Sequence, residues 1–214
     1  MAIPSDDPIL APRRRALAWL SLPAALCLLP SPARAAALRP TPAQTEGPFY
    51  PVDLPADTDH DLLSQGATHY AHGRAAWVEG QVRDTSGRPL AGTLVEIWQC
   101  DADGHYRHPR DGDRADPDFQ SFGRVSTDAE GRYRFRTIKP VAYAGRTPHI
   151  HLKLKRGAQT LLTTQLYVEG APGNERDVLW RSLRDARDRA ALTRPFEPAA
   201  DGMLRAVFGL VVPA

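Results

Sequence analysis

The chain has 214 residues, of which 42% are hydrophobic and 24% are charged, and its formal net charge is +2. This length and balance predict one soluble globular domain with a sizeable core. Residues 1–35 carry four Arg and two Asp, so 23 basic and 23 acidic residues follow them, which leaves no surplus positive field for binding nucleic acid.

Residues 1–35 have the three-part pattern of a secretory signal. Three arginines at 13–15 precede the apolar stretch "ALAWLSLPAALCLLP", and "ARA" follows at 33–35. The apolar run is short for a membrane span and contains Pro23, so a permanent transmembrane helix is the weaker alternative. The arginines also suit a twin-arginine signal. The sequence therefore predicts export, to the periplasm or the outside, with residues 1–35 removed.

The two cysteines exclude an internal disulfide framework. Cys27 lies in the predicted signal and would leave with it, so that Cys100 remains alone. We expect Cys100 to be a packed, inert side chain.

Residues 36–75 predict an irregular N-terminal arm. The segment "LRPTPAQTEGPFYPVDLPADTDHDLL" is dense in Pro, Asp and Thr and has no sustained periodicity. The alternation of apolar residues typical of strands begins only at Ala76. We therefore expect the folded domain to occupy residues 76–214.

Several short strands separated by turn signals follow in this domain. "AWVEGQVRDTSGRPLAGTLVEIWQCD" has two alternating apolar runs around a hairpin-like turn at residues 84–87. "GRVSTDAEGRYRFRTIKP" repeats the pattern around residues 128–131. "HIHLKL" and "LLTTQLYV" then add two strands on either side of Gly157. This spacing of strands and turns favours an antiparallel β-sandwich.

The C-terminal region predicts one short helix and a closing strand. Leu179, Leu183, Ala186 and Ala190 recur at helical spacing, and the segment "LRAVFGLVV" predicts a strand. No internal repeat or second domain is visible. The predicted fold class is therefore all-β, an antiparallel β-sandwich with an irregular arm and one C-terminal helix.

The segment "RTPHIHLKL" places His149 and His151 on one face of a strand. By itself this pair is a modest metal signal, since two ordinary half-buried imidazoles would give the same pattern. A cupin would add a glutamate soon after the pair, but none occurs before Glu169, and zinc would usually recruit Cys or a third His. The remaining candidate donors are Tyr106 and Tyr143. Two phenolates with two imidazoles favour ferric iron and leave room for solvent or substrate.

Several motifs in order resemble the intradiol ring-cleaving catechol dioxygenases, and within that family the iron-binding subunit of protocatechuate 3,4-dioxygenase most closely. The resemblance runs through "QTEGPFYP", "DHDLL", "GRPLAGTLVEIWQCDADGHYRH", "DPDFQSFGRVSTDAEGRYRFRTIKP", "PHIH" and "TTQLYVEG". It implies an intradiol dioxygenase β-sandwich, a non-haem Fe(3+) cofactor, and catecholic substrates opened with O2 between the two hydroxylated carbons. The product would be a cis,cis-muconate-type diacid.

The resemblance also implies roles for individual residues. Tyr143 and His151 would be axial ligands of the iron, with Tyr106 and His149 equatorial. Tyr143 would also act as a base when the substrate displaces it. Two further residues match positions that act beside the substrate, Arg146 and Gln165. Four match the lining of the substrate pocket: Thr45, Gly47, Pro48 and Trp98.

The loop from Tyr143 to His149 departs from the family pattern. It is short, and Ala144 and Gly145 stand where the protocatechuate enzyme has proline and a pocket tryptophan. We therefore expect a wider site that accepts substituted or extended catechols. The physiological catechol and a homo-oligomeric state are left open. Two alternatives remain at this stage, a noncatalytic transthyretin-like β-sandwich module and a secreted divalent-metal enzyme; neither needs both tyrosines.

Overall fold

The computed structural model describes residues 37–213, which form twelve strands and two short α-helices. The predicted signal at 1–35 lies outside the described residues. The strands are β1 Ser64–Gln65, β2 Thr68–His69, β3 Ala75–Asp84, β4 Leu94–Trp98, β5 Phe122–Ser126, β6 Arg132–Ile138, β7 His149–Arg156, β8 Gln159–Val168, β9 Thr193–Arg194, β10 Glu197–Pro198, β11 Leu204–Val207 and β12 Leu210–Val212. The helices are α1 Val178–Ser182 and α2 Ala186–Leu192. Neither has the length and apolar character needed to cross a membrane.

Two five-stranded sheets pack face to face. The first has the order β10-β11-β3-β12, with β6 also paired to β3, and the second has the order β5-β4-β7-β8-β9. The core between them contains Val78 and Phe135 from the first sheet and Ile97 and Ile150 from the second, all fully buried. The predicted all-β sandwich is confirmed. The sheets are mixed, however, because β11 and β12 run parallel to β3, and β9 runs parallel to β8.

The predicted turn at residues 84–87 forms, but it joins the two sheets. The Asp84 carboxylate accepts the backbone N–H groups of Ser86 and Arg88, both at 2.9 Å. Pairing across the turn is limited to a bridge between Arg83 and Pro89. The chain then crosses to the second sheet, where β4 pairs with β5 and β7. Local turn chemistry was therefore predictable, while the sheet that each run joins was not.

The prediction of one C-terminal helix is wrong, because two helices form with separate N-caps. Asp177 caps α1 by accepting from the N–H groups of Leu179 and Trp180 at 3.0 and 2.9 Å. Asp185 caps α2 by accepting from the N–H of Arg187 at 2.8 Å. An aspartate favours the extended N-cap conformation over the helix interior, so the apolar spacing is divided at this point.

The closing strand is also interrupted. β11 and β12 are separated at Phe208, whose carbonyl accepts the hydroxyl of Tyr133 at 2.6 Å. The N–H of Phe208 donates to the carbonyl of Glu79 at 2.7 Å. A Cβ atom added to Gly80 would stand 1.9 Å from the Phe208 carbonyl oxygen, so only glycine fits beneath this crossing.

Gly80→Ala is therefore expected to lower the free energy of unfolding by about 1–3 kcal/mol, the range for overpacking at a close contact. The control is Gly209→Ala, where the added Cβ would have its nearest neighbour, the Gln81 carbonyl oxygen, at 3.9 Å. Denaturant unfolding of both variants checks this. Equal stability of the two variants would contradict the packing argument.

Strand β7 is buried on both faces, and this positions the candidate site. Ile150, Leu152 and Leu154 point into the core between the sheets and are fully buried. His149 and His151 alternate with them and face the other way, as predicted, where they are only 1% exposed. Loops and the N-terminal arm cover this second face. The pair is thus held by a strand that the core fixes in place.

Candidate metal centre

The register of the second sheet gathers polar and aromatic side chains around the histidines. His151 lies directly opposite Trp98 on β4 and Gln165 on β8, and His149 lies opposite Tyr167. Directly opposed residues share a sheet face, so these side chains are neighbours. The Trp98 and His151 rings stack at 4.8 Å with an interplanar angle of 9°. The stacking fixes the orientation of the His151 imidazole.

The two imidazoles turn the same ring nitrogen toward one point. His149 Nδ1 is 2.6 Å from the Thr147 carbonyl oxygen, which only accepts, so Nδ1 carries the proton and Nε2 presents a lone pair. His149 Nε2 and His151 Nε2 are 3.2 Å apart. Burial and the nearby Arg146 lower the pKa of His149 to about 4, and burial with His149 lowers the pKa of His151 well below its usual value. Both rings are therefore neutral at pH 7, the form that binds metals.

Tyr106 and Tyr143 come from loops and meet beside the histidines. Their ring centroids are 4.9 Å apart, and they lie 6.2 Å (Tyr106 to His151) and 5.4 Å (Tyr143 to His149) from the imidazoles. Asp111 holds the Tyr106 backbone by accepting its N–H at 2.8 Å. Burial raises the pKa of both phenols, that of Tyr106 well above its usual range. Only a strongly bound cation would ionise them near neutral pH.

The Tyr106 hydroxyl shows that this cluster fits a metal ion. Its oxygen is buried and has no hydrogen-bond partner among residues 37–213. Leaving such a group unpaired costs about 1–3 kcal/mol, so an orphaned buried hydroxyl calls for an explanation. No group of three or more His, Cys, Asp and Glu side chains in the described part of the chain could hold a metal. A metal here would need the phenols, and hard phenolate oxygens with imidazoles suit Fe(III).

The N-terminal arm forms the roof of the cluster. A Cβ atom on Gly47, whose φ is 73°, would lie 3.3 Å from His151 Cε1, so the arm backbone passes directly over that ring. Phe49 stacks on Tyr106 at 4.6 Å. The Thr45 carbonyl accepts the side-chain amide of Gln165 at 3.0 Å, and Pro48 lies exposed between Gly47 and Phe49. Sequence reasoning missed Phe49, although its place in "EGPFYP" was a usable signal.

Arg146 is held in a fixed orientation at the edge of the cluster. Its Nε donates to Asp177 Oδ2 at 2.7 Å and its Nη2 donates to Gln165 Oε1 at 2.8 Å. Asp177 Oδ2 also accepts the Thr147 N–H at 3.0 Å. Burial opposes ionisation of Asp177, but the bond from Arg146 and two backbone N–H groups keep its pKa below the usual value. Asp177 was not among the residues predicted from the sequence, because its position before "VLW" indicates a helix cap but not this ion pair.

Known proteins are similar to most of this chain. Residues 45–203 match the family model described as Dioxygenase, and solved intradiol ring-cleavage dioxygenases share the fold. The chain belongs to the intradiol ring-cleavage dioxygenase family. The chain is 40% identical over 154 residues to the protocatechuate 3,4-dioxygenase beta chain of Burkholderia cepacia, covering 66% of each chain.

Other intradiol dioxygenases are similar over much of the chain. The hydroxyquinol 1,2-dioxygenase of Corynebacterium glutamicum is 33% identical, over 76% of this chain and 56% of its own. The dioxygenase domain of a carbohydrate-binding fusion protein from Streptomyces sp. SirexAA-E is 33% identical with a TM-score of 0.65, covering 82% of this chain and 99% of that domain. The chain spans about half to two thirds of the length of the curated relatives that it matches.

The loop after Tyr143 is a two-residue turn. The Arg146 N–H donates to the Tyr143 carbonyl at 2.7 Å, and the Tyr143 N–H donates to the Arg146 carbonyl at 3.3 Å. Ala144 and Gly145 have φ of 41° and 78°, both left-handed, as in the primed hairpin turns. Such a turn brings no large side chain over Tyr143. It borders a depression of about 660 Å³. That the site is wider than in the relatives stays a prediction.

A second depression, of about 720 Å³, is lined by residues of β3, β6 and β12 in the first sheet and of β5 in the second. Its lining includes Glu79, Arg83 and Arg134 but none of the predicted ligands. The smaller depression is the one that reaches the cluster, since Tyr143 and Arg146, whose pKa values are both shifted, line it. Tyr106, His149 and His151 lie behind this lining, and the predicted pocket residues Thr45, Gly47, Pro48 and Trp98 are not part of it.

Cys100 packs with Trp98, Tyr106 and Phe122 behind the cluster. It is fully buried, and burial raises the pKa of its thiol to about 12. The thiolate is the reactive form, so this environment agrees with the expected inert packing role.

Proposed function

We propose that the protein is a non-haem Fe(III)-dependent dioxygenase that opens catechol rings between the two hydroxylated carbons with O2, giving cis,cis-muconate-type diacids. The observation that carries the proposal is the convergence of Tyr106, Tyr143, His149 and His151, with an orphaned phenol among them. The names of the relatives, protocatechuate 3,4-dioxygenase and hydroxyquinol 1,2-dioxygenase, support the reaction class. Neither a binding module nor a divalent-metal enzyme accounts for two phenols facing two imidazoles.

The four side chains would hold the iron, which when bound would draw electron density from a catecholate and make its ring reactive toward O2. The protein supplies proton transfer and charge stabilisation around it. Tyr143 is half-buried at the depression, so its phenolate oxygen can accept a proton from an entering catechol hydroxyl. Arg146, held by Asp177 and Gln165, presents a fixed positive charge to negative charge that develops on the ring.

Colour tests the proposal most directly. The iron-loaded protein is expected to be wine-red, because bound phenolates transfer charge to ferric iron in the visible range. Anaerobic addition of catechol should move the band to longer wavelength, and admission of air should yield a muconate-type product with uptake of one O2 per ring. A colourless protein with a full complement of iron would refute the proposal. Export of the chain stays a prediction from residues 1–35.

A further inference from the structure

Arg176 lies at the rim of the depression beside Tyr143, and its side chain has no ion-pair partner among the described residues. It lines that depression together with Arg146. Unlike Arg146, it is exposed and its guanidinium has no carboxylate within 4.0 Å and no hydrogen-bond acceptor within the described residues. A free guanidinium that faces a pocket has its full donor capacity available to a ligand.

The backbone of Arg176 is fixed relative to the loop that follows Tyr143. Asn174, two residues earlier in the chain, is buried, accepts the Thr147 hydroxyl at 2.7 Å and donates to the Val168 carbonyl at 2.9 Å. The following residue is Asp177, which binds Arg146 and the Thr147 backbone. The Arg176 backbone therefore keeps a constant position beside the site, while the guanidinium at the end of its side chain is free to move.

The remaining lining is small and apolar and contains no carboxylate. Apart from the two arginines, Tyr143 and Thr147, it consists of Ala142, Ala144, Gly145, Pro148, Pro172 and Gly173. The volume of about 660 Å³ falls in the range of roughly 300–1,000 Å³ typical of pockets for drug-sized ligands. A single catechol ring would leave part of this space empty. The lining thus favours a ligand with an aromatic ring, an apolar extension and an anionic end.

We propose that Arg176 binds the carboxylate of a catechol whose acid group is separated from the ring by a short apolar chain, the 3,4-dihydroxycinnamate class. The proposal rests on the proposed function, since it assigns the substrate class of the same site. Arg146 is already engaged by Asp177 and Gln165, so Arg176 is the guanidinium in this lining that can offer a paired contact to a carboxylate.

The experiment compares 3,4-dihydroxycinnamate with its methyl ester, which has the same ring and chain but no charge. We expect the unaltered protein to prefer the acid in kcat/KM, and Arg176→Gln to reduce the acid-to-ester ratio roughly fivefold, as for an exposed ion pair. Arg176→Lys should retain part of the preference. Arg181→Gln, an exposed arginine on α1 outside the lining, is the matched control and should keep the ratio.

A binding measurement separates this proposal from the ring-cleavage reaction. Cinnamate has no hydroxyl groups and is not a substrate, so its Kd for the iron-loaded protein can be measured by calorimetry. Its Kd should rise roughly fivefold in Arg176→Gln, with no change in Arg181→Gln, and the difference should shrink at high salt. Equal ratios and equal Kd values in both variants would overturn the assignment of Arg176. A different result would refute the proposed reaction instead. In that case the unaltered protein would cleave neither 3,4-dihydroxycinnamate nor its methyl ester, while cinnamate binding would still depend on Arg176.

Discussion

Tyr106→Phe is expected to lose iron and with it the visible band and all ring cleavage. The Tyr106 hydroxyl is buried, has no hydrogen-bond partner among the described residues, and faces the two imidazoles, so its removal deletes a ligand that nothing nearby can replace. Loss of even an outer partner of a metal ligand typically costs 10–100-fold in affinity, so a weakening of more than about 100-fold is expected. Iron per chain, measured by elemental analysis after dialysis, checks this.

Tyr143→Phe should behave differently at the same centre. Tyr143 lies at the depression and is the phenol that an entering catechol would displace, so its loss should leave iron bound by the other three side chains and slow substrate binding. The control is Tyr133→Phe, a buried tyrosine bonded to the Phe208 carbonyl away from the site, which should keep iron, colour and turnover. Full turnover of catechol by Tyr143→Phe would show that Tyr143 is not the base.

Asp177→Asn is the second substitution with a large expected effect. It keeps an oxygen that can cap α1 but removes the charge that orients Arg146. Removal of a preorganised electrostatic group from an active site costs roughly 100–1,000-fold in kcat. Because this substitution would misplace Arg146 without deleting it, we expect a loss of about 10–100-fold in kcat with a smaller change in KM.

The control for Asp177→Asn is Asp185→Asn, which alters the N-cap of α2 away from Arg146. Both variants disturb a helix cap, so a purely structural role for Asp177 would give them similar losses of stability and similar kinetics. A drop in kcat confined to Asp177→Asn, with normal iron content and colour, would identify it as a positioning residue for Arg146. Unchanged kcat would mean that Arg146 keeps its orientation through Gln165 alone.

The parts of the site that lie on strands could be predicted, since strand periodicity places alternate residues on one face. His149 and His151 follow from that rule alone, and their pairing opposite Trp98 and Gln165 follows once the register is known. Tyr106 lies in a loop with no periodicity, so the sequence offered it as a candidate donor but only the family motif assigned it to the centre. Asp177 is separated from Arg146 by 31 residues, and no local pattern reveals an ion pair over such a distance.

The fold shows the same division between local and long-range information. The turn at residues 84–87 and the alternation in β6 are encoded by neighbouring residues and were predictable. The crossing from β3 to β4 between sheets, and the parallel pairing of β11 and β12 with β3, depend on how faces fit together across the whole domain. The C-terminal helix is divided because an aspartate caps the second helix, and the spacing of apolar residues does not reveal such a cap.

The burial of β7 on both faces bears on how this protein can diversify. Ile150, Leu152 and Leu154 are constrained by the core, and His149 and His151 by the centre that they form, so the strand tolerates few neutral substitutions before its half-buried and exposed end at Lys155 and Arg156. Substitutions that change which substrate is accepted must then occur outside this strand. The turn at Ala144 and Gly145 and the rim segment from Gly173 to Arg176 are the places where a change can alter specificity while the chemistry stays intact.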